Sequence, residues 1–159
     1  MNLTKNNEPQ RNPAEALAKE DKFILYSLIL GFLGFIVSAY LTILHYKNII
    51  PPCTVSGGCE TVLTSKYSMV GPIPVALLGI LFFLAIIAVC VLILTSYKKI
   101  FLQSFYLMSA AGLLVALLLI FTQGFILHAF CQYCLICEAS ATGIAILAFL
   151  KYKSDKKEA

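Results

Sequence analysis

The sequence predicts an all-α integral membrane protein built as a four-transmembrane-helix bundle. Of its 159 residues, 60% are hydrophobic and 13% charged, whereas soluble domains have about 45–50% and about 25%. Uncharged runs long enough to cross a bilayer, which takes about 20 residues, recur along the chain. Inside lipid the backbone polar groups are satisfied only in helices or closed barrels, so we expect these runs to be helices.

The four spans follow from the positions of charges and of breaks in the aliphatic pattern. The uncharged stretch 100–137, continued past Glu138, is long enough for two spans. We divide it where Gly124, His128 and Gln132 interrupt the aliphatic residues. The predicted spans are 23–45, 74–97, 101–126 and 131–150.

The remaining segments complete a single membrane domain, 23–150, with an external loop at 46–73. Residues 1–22 are polar and are predicted to be a flexible cytoplasmic tail, and residues 151–159 a second cytoplasmic tail. Ten of the twelve Lys and Arg residues fall in the two tails and the link between the second and third spans. By the positive-inside rule both termini are cytoplasmic.

The charge pattern also bears on possible partners. The formal net charge of +4 comes from basic residues scattered over three segments and not gathered into a stripe. Topology explains this charge, so we expect contact with membrane lipid and no nucleic-acid partner.

Four of the six cysteines fall in one compartment under this topology. Cys53 and Cys59 lie in the external loop, and Cys131 and Cys134 lie at the external end of the last span. Outside the bacterial inner membrane, disulfides form and persist. Cys90 lies in the middle of the second span and is predicted to be a packed small hydrophobe.

The Cys131-x-x-Cys134 pattern is typical of redox chemistry but has other uses. Two cysteines at i and i+3 lie on one helix face, and a helix N-terminus stabilises the first as a thiolate. A structural disulfide or half a zinc site would use the same spacing. A zinc site made of all four external cysteines is disfavoured by the loop spacing and by the oxidising compartment.

The loop pair Cys53 and Cys59 is separated by five residues that include Gly57 and Gly58, so its backbone can close a small ring. The pair is either a structural disulfide that only holds the loop together, or a mobile, exposed disulfide that passes electrons to the pair at the membrane. Thiol–disulfide exchange in series needs a two-electron acceptor. A dithiol at the mouth of a helix bundle favours an acceptor dissolved in the bilayer, a quinone such as ubiquinone or menaquinone.

Several features follow one another in order along the chain: Cys53, Cys59, Ser65, GPIPVALLG at 71–79 and FCQYC at 130–134. This order resembles the vitamin K epoxide reductase family, in its bacterial disulfide-forming branch, over about residues 20–150. The resemblance implies four helices around a quinone, with the external loop and its short half-helix as a cap.

The resemblance also implies roles for the cysteines. Cys53 and Cys59 would be the shuttle pair and Cys131 and Cys134 the redox centre, with Cys134 next to the quinone and Cys131 exchanging with Cys59. Relatives with a fused thioredoxin-like domain suggest a donor of that kind, which here would be a separate extracytoplasmic protein.

Ser65 matches the family's serine that supports the quinone site, although a hydroxyl in a short amphipathic helix often makes only local hydrogen bonds.

Val75 and Glu138 stand where animal members have an asparagine and a tyrosine. Glu138 follows Cys134 by four residues on the same helix face. An ionisable residue within a span is a functional candidate, so Glu138 is either a proton-exchanging group at the quinone or a structurally hydrogen-bonded carboxyl. Cys137 is expected to be a bystander.

Three functions are compatible with these features. The first is a membrane thiol:quinone oxidoreductase that oxidises a thioredoxin-like dithiol protein and so generates disulfides. The second is a reductive membrane thiol electron carrier, which needs cysteines or a donor site reachable from the cytoplasm. The third is a non-enzymatic membrane protein stapled by disulfides. Lability of the disulfides to reductants would separate the third from the first two.

Overall fold

The computed structural model describes residues 13–53, 58–96 and 98–158. A 3-10 turn, Lys66–Ser68, and a π-helical segment, Thr122–Leu127, supplement the regular elements. The helices and strands are α1 (Pro13–Tyr46), α2 (Cys59–Thr64), β1 (Met69–Val70), β2 (Ile73–Pro74), α3 (Val75–Thr95), α4 (Lys99–Phe121) and α5 (Gln132–Glu158).

Four of the helical segments are long and apolar enough to span a membrane: Lys22–Tyr46, Val75–Thr95, Lys99–Leu127 and Gln132–Lys156. The predicted all-α, four-transmembrane-helix class is therefore confirmed. All four segments satisfy their backbone hydrogen bonds internally, as lipid requires.

The core of the bundle lies where α1 and α4 both pack on α5, and α3 packs on α1 and α4. Gly34 of α1 leaves room for the ring of Phe83, which would overlap a side chain at that position. Small residues at such crossings let helices approach closely where no hydrophobic effect drives them together. The buried core includes Phe83, Ile86, Phe105 and Ile144.

The first and last helices extend further toward the chain termini than the sequence predicts. Helix α1 begins at Pro13, so residues 13–22 of the predicted tail are helical, while residues 1–12 lie outside the described residues. Proline is favoured at a first helical position, and the segment AEALAKEDK that follows it is rich in helix formers. Hydropathy does not detect a helix that continues beyond the lipid.

Helix α5 likewise continues to Glu158, so the predicted tail at 151–159 is helical except for Ala159, which lies outside the described residues. Lys151 is only 1% exposed and pairs with Asp155 at 3.8 Å. The hydroxyl of Tyr106 in α4 donates to Asp155 at 2.6 Å. These contacts hold the last turns of α5 against α4.

The loop between α1 and α3, which the charge pattern predicts to be external, contains the expected half-helix, α2, followed by a small hairpin. Ser65 ends α2, because its hydroxyl donates to the Val62 carbonyl at 2.8 Å. Strands β1 and β2 pair antiparallel, with Val70 opposite Ile73. This hairpin was not predicted, since two-residue strands leave no periodic pattern. It leads directly into α3 and so ties the loop to the bundle.

Candidate functional site

The start of α5 is positioned by a reversal of the chain after α4. The π-helical segment ends at His128, whose φ of 48° lies in the left-handed region. Cys131 then precedes the first residue of α5, and its backbone N–H donates to the Gln123 side-chain oxygen at 2.9 Å. The first cysteine of the pair is thus fixed to the end of α4.

The two cysteines of the membrane pair are in direct contact. The Cys134 thiol donates to the sulfur of Cys131 at 2.8 Å, and the Cys134 backbone N–H lies 3.3 Å from the same sulfur. These donors, the Cys134 thiol foremost, lower the pKa of Cys131 to about 7 although its burial opposes the change. Cys131 is therefore partly a thiolate near neutral pH, which is the reactive form in exchange.

The loop cysteines form a disulfide, Cys53–Cys59, with their Cα atoms 5.9 Å apart. The two ends of this disulfide differ in environment: Cys59 is 0% exposed, whereas Cys53 is only half-buried. Cys59 packs with Val62 and Cys131 in a buried cluster. The inner end of the loop disulfide thus lies against the membrane pair.

Two further contacts dock the loop on the start of α5. A Cβ atom added to Gly58 would lie 2.8 Å from both the backbone nitrogen and the oxygen of Phe130, so only glycine fits there. The hydroxyl of Tyr133 donates to the Pro52 carbonyl at 3.3 Å. Each contact joins a neighbour of a loop cysteine to a neighbour of a membrane-pair cysteine.

A cavity of about 540 Å³ lies beneath this junction. All four long helices and the external loop contribute to its wall, which is mainly apolar. Cavities of this size and character are typical of sites for organic ligands. Its polar and sulfur-bearing lining residues include Ser38, His45, Ser65, Gln123, Cys134, Cys137 and Glu138.

Glu138 is the carboxyl-bearing residue of α5 that lines this cavity. It is 3% exposed, and its Oε1 accepts a hydrogen bond from Nε2 of Gln123 at 2.5 Å. Its Oε2 is buried and has no hydrogen-bond partner among the described residues. A buried polar atom without a partner costs free energy of about 1–3 kcal/mol, so this oxygen is a candidate contact for a ligand.

The structure brings the predicted site residues together at one end of the bundle. Cys134, Ser65 and Glu138 line the cavity, and the loop disulfide packs above Cys134 and Cys131. The Ser65 hydroxyl makes the local bond that its sequence context suggested, and it lines the cavity as well. These placements give the residues access to one another; their roles stay predictions.

The other residues singled out in the sequence separate into three environments. Cys90 is buried in the core of the bundle, as a packed small hydrophobe would be. His128 is exposed, while His45 lines the cavity. Cys137 also lines the cavity, and its sulfur lies 3.4 Å from the Ser38 hydroxyl; that it takes no part in the chemistry stays a prediction.

Sequence reasoning missed two residues of this site. Gln123 was not singled out in the sequence, and Tyr133 stood only as a residue between two cysteines. A lone amide within lipid, where it must find a partner, is the signal that marks Gln123. For Tyr133 no local signal exists. Among the described residues, no group of three or more His, Cys, Asp or Glu is arranged to hold a metal ion.

The pKa of Cys131 leads to a testable pH dependence. A lowered thiol pKa means that the thiolate is present above about pH 7 and is lost as the pH falls below it. We expect alkylation of reduced Cys131 by iodoacetamide to rise with a midpoint near pH 7, measured by mass spectrometry. In Cys134→Ala the main donor to the sulfur is absent, so the midpoint should move up toward about 8.5. An unchanged midpoint would contradict this assignment.

Comparison with protein families gives a match over most of the chain. The sequence model described as the Vitamin K epoxide reductase family matches residues 25–149. The matched range contains both cysteine pairs, the external loop and the residues that line the cavity.

Proposed function

Since the chain belongs to the vitamin K epoxide reductase family, a family of membrane oxidoreductases, we propose that it is a thiol:quinone oxidoreductase that generates disulfides. One observation supports this most directly. Cys59 packs on Cys131, Cys131 accepts a hydrogen bond from Cys134, and Cys134 lines the cavity. The sulfur atoms therefore form a continuous path from the loop to the cavity.

The proposed relay has three balanced steps. A dithiol partner protein reduces the loop disulfide and is itself oxidised to a disulfide. The loop dithiol then reduces a Cys131–Cys134 disulfide, through a transient bond between Cys59 and Cys131. Finally, the Cys131 and Cys134 thiols return to a disulfide as two electrons and two protons pass to the quinone, which becomes a quinol. Each transfer between pairs proceeds by attack of a thiolate on a disulfide sulfur.

The residues around the cavity fit a quinone as the electron-accepting substrate. The wall is mainly apolar and the cavity has a volume of about 540 Å³, which suits a hydrophobic ring system. Ser65, Cys134 and Glu138 would hold it, and Glu138 has a buried oxygen without a partner among the described residues. The quinone supplies a two-electron, two-proton acceptor that dissolves in the bilayer, and it would be ubiquinone or menaquinone.

The partner would be a separate thioredoxin-like protein on the outer side of a bacterial inner membrane, with both termini of this chain in the cytoplasm. The bias of Lys and Arg toward the tails and the link between α3 and α4 supports that orientation. A reductive carrier would need cysteines or a donor site reachable from the cytoplasm, and all six cysteines lie in the spans or the external segments of this topology.

The direct test is electron transfer by the purified protein in lipid nanodiscs. With a reduced thioredoxin-like protein as donor, we expect one soluble quinone reduced per partner disulfide formed, followed by the quinone's ultraviolet absorbance. Cys90→Ala, in the core away from the cavity, should retain this activity, and Cys53→Ala should lose it. Faster transfer from quinol to an oxidised partner would favour a reductive carrier. Transfer in neither direction, with a disulfide that resists reductants, would favour a staple.

A further inference from the structure

Gln123 is the point at which the membrane pair and Glu138 are joined. Its Oε1 accepts the backbone N–H of Cys131 at 2.9 Å, and its Nε2 donates to Glu138 at 2.5 Å. A backbone N–H can only donate, so it requires the amide oxygen of Gln123 on its side. The amide nitrogen must then face Glu138, and the orientation of the amide is fixed by this chemistry.

The fixed amide determines which oxygen of Glu138 can bear a proton. Because Oε1 accepts the Gln123 N–H, a proton on that oxygen would have to compete with this hydrogen bond. The other oxygen, Oε2, is buried without a partner among the described residues. A neutral Glu138 therefore presents its O–H at Oε2, as a donor in the wall of the cavity.

We propose that Gln123 is a positioning residue that keeps the proton of Glu138 on Oε2, where it is available to a quinone carbonyl oxygen. This rests on the proposed function for its ligand. A carbonyl oxygen accepts hydrogen bonds and cannot donate them, so only a protonated Oε2 can bind it. During reduction Glu138 would donate this proton and regain one from the thiol pair. The two protons that the dithiol loses thus equal the two that the quinol gains.

The other titratable groups around the cavity do not duplicate this arrangement. His45 comes from α1, Tyr67 from the loop, and Cys134 and Cys137 from α5. The residues of α3 and α4 that line the cavity are apolar, so these helices contribute no titratable group to its wall. Of the lining residues, Glu138 alone is hydrogen-bonded to the Gln123 amide in the described hydrogen bonds.

The test measures quinone binding without turnover. The protein with both cysteine pairs oxidised is titrated with a soluble short-chain quinone in nanodiscs by calorimetry. We expect Gln123→Leu to raise the Kd about tenfold, the size of one hydrogen bond, and Glu138→Gln to do at least the same. The matched control is Gln132→Leu, since Gln132 also has a buried Oε1 without a partner in the described structure. Its Kd should stay within about twofold of the native value.

A second readout reports the proton itself. The infrared spectrum of the native protein should contain the carbonyl stretch of a protonated carboxylic acid. This band should be absent from the spectrum of Glu138→Gln. Quinone binding should shift this band in the native protein. In Gln123→Leu the band should persist but lose the shift, because its proton is no longer held on Oε2.

Gln123→Glu separates positioning from space filling. At acidic pH its neutral carboxyl can accept the Cys131 N–H and donate to Glu138, so quinone affinity should approach the native value. As the pH rises, the two neighbouring carboxyls lose a shared proton and affinity should fall. If Gln123→Leu has a much lower melting temperature than Gln132→Leu, its weaker quinone binding could come from partial unfolding. The pH dependence of quinone affinity in Gln123→Glu then provides the test of the positioning role. Gln123→Leu has no group that can hold the proton on Oε2, so its affinity should stay below that of Gln123→Glu at acidic pH, whereas equal affinities there would contradict the positioning role.

The outcomes distinguish this inference from the function on which it rests. If the native protein reduces quinone while Gln123→Leu binds it equally tightly with the same infrared shift, the positioning role is overturned and the proposed function stands. If the native protein neither binds nor reduces quinone, the proposed function itself fails.

Discussion

Cys134→Ala is expected to accumulate a disulfide between Cys59 and Cys131 and to lose quinone reduction by on the order of 10³-fold or more. In this variant the Cys131 thiolate can attack the adjacent Cys59 of the loop disulfide. The Cys53–Cys59 bond breaks, the Cys59–Cys131 bond forms, and Cys53 leaves as a thiolate. With Cys134 absent, no neighbouring thiol within the membrane pair can displace Cys59 from Cys131.

The packing of the site supports this expectation. Cys59 and Cys131 are both 0% exposed and share one buried cluster, so their exchange needs little movement. The pKa of Cys131, lowered to about 7 by its hydrogen-bond donors, supplies a thiolate at neutral pH. Loss of the Cys134 thiol should slow formation of the trapped bond without preventing it, and more of it should form at higher pH.

The trapped species can be identified by peptide mass spectrometry and non-reducing gels. A peptide containing Cys59 should be linked to one containing Cys131. The freed Cys53 should hold an oxidised thioredoxin-like partner as a mixed disulfide, and this adduct should disappear in Cys134→Ala with Cys53→Ala. A Cys53–Cys59 disulfide that persists and reacts with no partner would contradict the relay and favour a staple.

Gly58→Ala should slow exchange between the loop and the membrane pair by about 100-fold, the usual cost of misplacing reacting atoms by about 1 Å. Its φ of −90° is accessible to alanine, so the effect is steric and not conformational. The added Cβ would lie 2.8 Å from two backbone atoms of Phe130, which cannot rotate away. The loop must therefore move outward, and this movement increases the distance between the sulfur atoms of Cys59 and Cys131.

The matched control for this variant is Gly124→Ala, whose Cβ would lie 3.5 Å from the Phe130 ring, an ordinary contact. Single-turnover oxidation of the reduced loop should be slow in Gly58→Ala and near native in Gly124→Ala. Reduction of the Cys131–Cys134 disulfide by a small soluble dithiol should be similar in both. Native exchange in Gly58→Ala would show that docking at Phe130 is not required.

The fold could be predicted from sequence because lipid imposes a strong constraint. Uncharged runs of sufficient length identified four helices, and the class follows from backbone hydrogen bonding alone. The extension of α5 could not be predicted, since the buried Lys151 pairs with Asp155 of the same helix, and Asp155 in turn accepts a hydrogen bond from Tyr106 of α4, which lies far away in the sequence. Hydropathy treats such a lysine as the end of a span.

The site was predictable only where its residues share a compartment or a helix face. Topology brought both cysteine pairs to one side, and i to i+4 spacing placed Glu138 near Cys134. The contact of Gln123 with Cys131 crosses a π-helical segment and a left-handed turn, so no helical period relates the two. The fit of Gly58 on Phe130 joins residues distant in sequence, and no local pattern reports it.

The unequal burial of the loop disulfide has a kinetic consequence. A nucleophile from water can reach Cys53 but not Cys59, whereas Cys131 lies against Cys59. In the proposed relay, reducing equivalents therefore enter and leave through different atoms of one bond. The partner can dissociate before the cavity pair reacts, which makes the reaction a double displacement. No ternary complex of partner, enzyme and quinone is needed, and steady-state rates should follow ping-pong patterns.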